Sequence, residues 1–120
     1  MPGFGDGQWV GVAENPVPSG AVTASGTSAG APDYGAANTL RAQLNVTAVT
    51  GTTPTLDVVI EDSVDGGATW NTVGTFTQKT AVAREVINIT VPFGDSLRVR
   101  WTVGGTTPNF TFAVHWVAQA

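Results

Sequence analysis

From Thr39 onward the chain alternates apolar and polar positions with a period of two. Leu40, Ala42, Leu44, Val46 and Ala48 interleave with Arg41, Gln43, Asn45 and Thr47. Successive side chains of a strand point to opposite faces, so this alternation predicts a strand buried on one side. The same signal recurs down the chain. Leu56, Val58 and Ile60 interleave with Asp57, Val59 and Glu61, and Trp70, Thr72, Gly74 and Phe76 with Asn71, Val73 and Thr75. Ile87, Ile89 and Val91 follow, then Leu97, Val99, Trp101 and Val103, then Phe110, Phe112, Val114 and Trp116. Gly51-Thr52-Thr53-Pro54, Pro92-Phe93-Gly94-Asp95 and Gly104-Gly105-Thr106-Thr107-Pro108 punctuate these runs and read as turns. No segment has a helical period. Six short strands separated by turns predict an all-β fold, an antiparallel β-sandwich of jelly-roll or immunoglobulin-like topology.

Residues 1–37 are different. They are rich in Gly, Ala, Pro and Ser and have weak periodicity, with one short strand suggested around residues 21–25. The expected organisation is an extended N-terminal arm over residues 1–37 and a sandwich domain over residues 38–120. Phe4, Trp9 and Val10 are isolated apolar anchors in the arm, suited to pockets on a neighbouring subunit.

Composition narrows the chemistry. Of 120 residues, 42% are apolar and only 12% charged, about half the usual ~25%. Threonine, β-branched and suited to strands, supplies much of the polar surface. The formal net charge is −4, and the cations are Arg41, Lys79, Arg84, Arg98 and Arg100. Phosphate backbones call for clustered Lys and Arg, so no nucleic-acid partner is expected. There is no cysteine, which removes disulfides and thiolate metal sites. No run approaches the ~18 apolar residues of a membrane-spanning helix, and the first residues lack the basic and apolar regions of a signal peptide. No membrane partner is expected, and a cytosolic origin fits.

One octapeptide stands out: Ser63-Val64-Asp65-Gly66-Gly67-Ala68-Thr69-Trp70. It resembles the Asp-box hairpin of sialidase-like propellers. Ser63 and Asp65 can hydrogen-bond the backbone of a tight turn, Gly66 and Gly67 can take positive φ, and Trp70 can fold back over it. Ser63, Asp65, Gly67, Thr69 and Trp70 are therefore assigned to a structural hairpin. A sialidase-like enzyme resembles a propeller with several such boxes, an arginine cluster, a nucleophilic tyrosine and an acid pair. This chain has one box, and its one tyrosine, Tyr34, cannot be placed beside Arg98 and Arg100. Glycoside hydrolysis needs two opposed carboxyls. Asp57 and Glu61 share a strand face ~13 Å apart at ~3.3 Å per residue, too far to flank one bond. His115, the lone histidine, lies on the polar phase of its strand. No catalytic residue is assigned.

Glu61, Asp62 and Asp65 offer the clustered oxygens that Ca²⁺ favours. Asp65 capping its own turn, with the other two facing water, accounts for them without an ion. No metal site and no cofactor is assigned. Trp101 and Trp116 fall in phase with Leu, Val and Phe, so they are expected in the core rather than on a sugar-stacking surface.

Residues 39–120 resemble small all-β virion proteins of tailed bacteriophages. The features that carry the resemblance are Leu40-Arg41-Ala42-Gln43-Leu44, the hairpin running from Ile60-Glu61-Asp62 into the octapeptide, and Leu97-Arg98-Val99-Arg100-Trp101. The family implied is that of capsid decoration, or cement, proteins. It implies synthesis in the cytoplasm of a bacterial host, a structural role on the capsid exterior, the major capsid protein as partner, self-association as a homotrimer, and no enzymatic activity. A phage tail component and a glycan-binding sandwich module on the virion are the other classes considered.

Overall fold

The structure, a computed structural model, describes residues 3–4, 8–9, 12–30, 37–90 and 94–119. Among the described residues eight strands follow one another: β1 (Gly3–Phe4), β2 (Gln8–Trp9), β3 (Val12–Val22), β4 (Gly26–Thr27), β5 (Thr39–Ser63), β6 (Asn71–Thr75), β7 (Ala83–Ile89) and β8 (Ser96–Gln119). All pairings are antiparallel. The chain is an all-β, antiparallel sandwich.

Two long strands organise it. β5 and β8 pair along their whole length, from Thr39↔Gln119 to Ser63↔Ser96. The first half of β5 also pairs with β7, and the second half of β8 with β3, which makes one layer in the order β3-β8-β5-β7. The second half of β5 pairs with β6, and the first half of β8 with β4, which makes the other layer, β4-β8-β5-β6. The buried faces meet in one apolar cluster. Leu40, Ala42, Leu44 and Val46 come from the first half of β5, and Leu56, Val58 and Ile60 from the second. Leu97, Val99, Phe110, Phe112, Val114 and Trp116 come from β8. Trp101 packs edge-on to Phe112 across the layers, with ring centroids 5.7 Å apart.

The expected turns at Gly51–Pro54 and Gly104–Pro108 do not reverse the chain. Both are irregularities in the β5–β8 ladder, where its register shifts between Thr50 and Thr55. They lie opposite one another, so the ribbon bends there as a unit and the two layers can face each other. Four of the six expected short strands are therefore halves of two long ones. The bend has a local two-fold symmetry. Gly-Thr-Thr-Pro occurs at 51–54 and again at 105–108. Exchanging the two strands turns Thr50↔Asn109 into Gly104↔Thr55, Val49↔Phe110 into Val103↔Leu56, and leaves Thr52↔Thr106 in place. Gly51 and Gly105 have φ of +117° and +106°. A Cβ on Gly51 would meet Thr107 O at 2.8 Å, and one on Gly105 would meet Thr53 O at 2.6 Å. Each glycine admits the opposite strand's backbone.

The N-terminal segment also differs from expectation. Val12–Val22 is an eleven-residue strand hydrogen-bonded to β8, not a short strand near residues 21–25. Its register shifts between Glu14 and Val17 and between Val17 and Gly20. Pro16 and Pro18 fall within those irregular stretches, and Pro cannot donate to a ladder. The sequence pattern is weak there for that reason. From Val12 to Val22 the arm is thus part of the sheet, because β8 offers it a free edge.

Candidate functional site

The octapeptide closes the link between β5 and β6. Ser63 is fully buried, and its hydroxyl donates to Asp65 Oδ1 at 2.7 Å. Ser63 Oγ itself accepts from the Gly67 N–H at 2.8 Å and the Asp65 N–H at 3.3 Å. Asp65 Oδ1 accepts from the N–H groups of Ala68 at 3.1 Å and Thr69 at 2.9 Å, and Oδ2 from the Thr69 hydroxyl at 2.5 Å. Gly66 and Gly67 take φ of +75° and +97°. Trp70 donates its indole N–H to Gly67 O at 3.1 Å, so the ring lies back over the turn. Hydrogen bonds from the Thr69 hydroxyl, the Ser63 hydroxyl and the Thr69 N–H hold the Asp65 carboxyl well below the usual carboxylate range.

Trp70 also covers an ion cluster. The Arg98 guanidinium stands 4.3 Å from the centre of the Trp70 ring. Arg98 Nε donates to Glu61 Oε1 at 2.8 Å, and Arg100 Nε to Glu61 Oε2 at 3.0 Å. Glu61 is 5% exposed, which corrects the expectation that it faces water. The outer face of β5 is roofed there by the two arginines and the indole. Burial pushes the Glu61 carboxyl up, but hydrogen bonds from Arg98 and Arg100 and their charges outweigh it and leave the group below its ordinary value. Asp62 is also buried and accepts the Gly94 N–H at 2.6 Å. Each of the three acids considered for calcium is thus engaged by protein donors. Among the described residues, no three His, Cys, Asp or Glu side chains converge as metal ligands. Lys79 pairs with Glu85, whose carboxylate also accepts the Thr77 N–H at 2.9 Å.

The N-terminal anchors are placed as follows. Phe4 lies in β1 and Trp9 in β2, paired as Phe4↔Gln8 and Gly3↔Trp9 in a two-stranded sheet separate from the main one. Val10 lies outside the described residues. Trp116 is 2% exposed and Trp101 is half-buried against the core.

One concave surface was not anticipated. A groove of about 440 Å³ crosses the outer face of the β3-β8-β5-β7 layer, lined by Glu14, Arg41, Gln43, Val86, His115 and Val117 among others. Its residues come from four strands far apart in sequence. The one available signal is the polar phase of β5, where Arg41, Gln43 and Asn45 present long planar side chains in succession.

No protein-family model and no curated protein sequence matches the chain. Solved structures do. The PBSX exported protein XepA is similar at a TM-score of 0.65 and 18% identity, over 91% of this chain and 37% of that one. The chain thus spans little more than a third of XepA. The SPBc2 prophage-derived protein YomS is similar at a TM-score of 0.56 and 8% identity, over 92% of this chain and 93% of that one. The CBM36-1 domain of a multidomain xylanase from the hindgut metagenome of Trinervitermes trinervoides is similar at a TM-score of 0.52 and 13% identity, over 92% and 98%. At such identities the likeness establishes a shared sandwich fold.

Proposed function

We propose that the chain is a structural protein of a phage particle, acting by binding rather than by turnover. It docks on the outer surface of the assembled capsid and bridges neighbouring major capsid protein subunits, as a homotrimer. The observation that carries this reading is the N-terminal ladder. β1 and β2 have two residues each and pair in a sheet of their own. Isolated hairpins are marginal at best in water, and two residue pairs are far too few to hold one. A segment built this way, with Phe4 and Trp9 on its strands, suits ordering against a partner surface. End-to-end similarity in fold to a prophage-derived protein supports the same reading.

The energetics suit the role. A ligand that binds only the assembled state stabilises it by mass action. Repetition by symmetry turns modest contacts into high avidity. The test follows the strand boundaries. Residues 12–22 belong to the sheet, so deletion is confined to residues 1–11, which leaves β3 in place. Capsid occupancy of the truncated chain, read from gels of purified particles, should fall steeply. Undiminished occupancy would overturn the reading. A mass measurement of the purified chain tests the trimer.

A further inference from the structure

We infer that the groove on the outer face of the β3-β8-β5-β7 layer is a saccharide-binding site. This does not depend on the capsid reading. The volume, about 440 Å³, falls in the range of small-ligand sites. Its position decides what kind of ligand it can take. In this layer β8 lies between β3 and β5, and β5 lies between β8 and β7. The main-chain groups of β5 and β8 are therefore occupied by ladders on both sides. A peptide laid across them cannot join as an extra strand, so recognition falls to side chains.

Those side chains have a particular chemistry. Gln43 stands opposite Val86 on one side and His115 on the other. Arg41 stands opposite Asn88 and Val117, and donates to Asn88 Oδ1 at 3.2 Å. The Gln43 amide and the His115 imidazole each both donate and accept, and neither makes a side-chain hydrogen bond to another described residue. A sugar hydroxyl also donates and accepts, so it can satisfy such a group in both directions. Glu14 adds an acceptor and Arg41 a donor fork. Val86 and Val117, 39% and 40% exposed, provide aliphatic walls for the C–H faces of a sugar ring. No charged patch dominates the groove. A ligand dense in hydroxyls with apolar ring faces matches it better than a fatty or strongly ionic one.

The test uses the full chain in solution. Amide NMR spectra are titrated with cellohexaose as a neutral probe and trigalacturonate as an acidic one. Saturable shifts at Gln43, Val86, His115 and Val117 with either probe support the site. A response to the acidic probe alone assigns Arg41 to the carboxylate. The Q43A/H115A double variant should weaken binding about tenfold or more, the effect of losing hydrogen bonds to ligand hydroxyls. Both residues are solvent-facing and lie outside the core, and a melting curve checks that the variant folds. V86D, on the same exposed face, should weaken binding as well. No saturable shift with either probe up to about 10 mM, a range that reports even very weak binding, would overturn the inference. So would shifts centred on the opposite layer near Trp101, or binding indifferent to all three substitutions.

Discussion

Replacing Gly105 by alanine tests the bend at the centre of the β5–β8 ribbon. The new methyl would stand 2.6 Å from Thr53 O, 2.9 Å from Pro54 Cα and 3.0 Å from Thr52 O, all of them backbone atoms. Its φ of +106° is one that side chains rarely adopt. Backbone strain of that kind costs about 1–3 kcal/mol. Forcing packed backbone apart costs about as much again. A loss of about 3 kcal/mol is expected, near 12 °C of melting temperature at roughly 4 °C per kcal/mol for a domain of this size. Gly51→Ala should cost a similar amount, since its methyl meets Thr107 O at 2.8 Å and Pro108 Cα at 2.9 Å. Gly66→Ala is the control: φ is +75°, but nothing lies within 4 Å of the added methyl, so only strain remains. The double variant at 51 and 105 should cost less than the sum, because each substitution opens the same crossing. Guanidinium unfolding followed by tryptophan fluorescence measures all four. An unchanged midpoint for Gly105→Ala, or a loss no greater than that of Gly66→Ala, would refute the reasoning.

Two further outcomes follow from the octapeptide and its neighbour. Asp65→Ala should lower the melting temperature at neutral pH, because it strips acceptors from Ala68, Thr69 and Ser63 at once. The native Asp65 pKa is depressed, so its stabilisation is present above the unfolded value near ~3.9 and is lost as pH falls through the folded value. The gap between variant and parent should therefore narrow below about pH 4, and a gap constant down to strongly acid pH would contradict the assignment. Glu61→Gln should cost about 2 kcal/mol in chemical denaturation, since Arg98 and Arg100 lose their shared carboxylate while an amide keeps part of the hydrogen bonding. An equally stable variant would show that the arginines are satisfied by water.

Much of the fold was legible in the chain. Period-two alternation from Thr39 onward identifies an all-β sandwich, because a strand with one buried face must alternate. The same phase puts Leu44, Val58, Phe112 and Trp116 in the core and His115 outside, and they lie there. Its limits are equally physical. Alternation is a local property of one strand, whereas a bend or a reversal depends on what lies opposite. Gly51 through Pro54 carries turn residues in either case, and only its pairing with Gly105 through Pro108 makes it a bend. Residues 12–22 have too much Pro and Gly to announce a strand, and they become one because β8 offers an edge. Glu61 reads as a surface acid until Arg98, Arg100 and Trp70 roof it. The groove over Arg41, Gln43 and His115 exists only once four strands lie side by side. Sequence by itself determined the strand character beyond Thr39 and the inward faces of β5, β7 and β8, since both follow from side-chain period. Tertiary structure alone decided the bend, the buried ion cluster and the groove, since each joins residues that the chain keeps far apart.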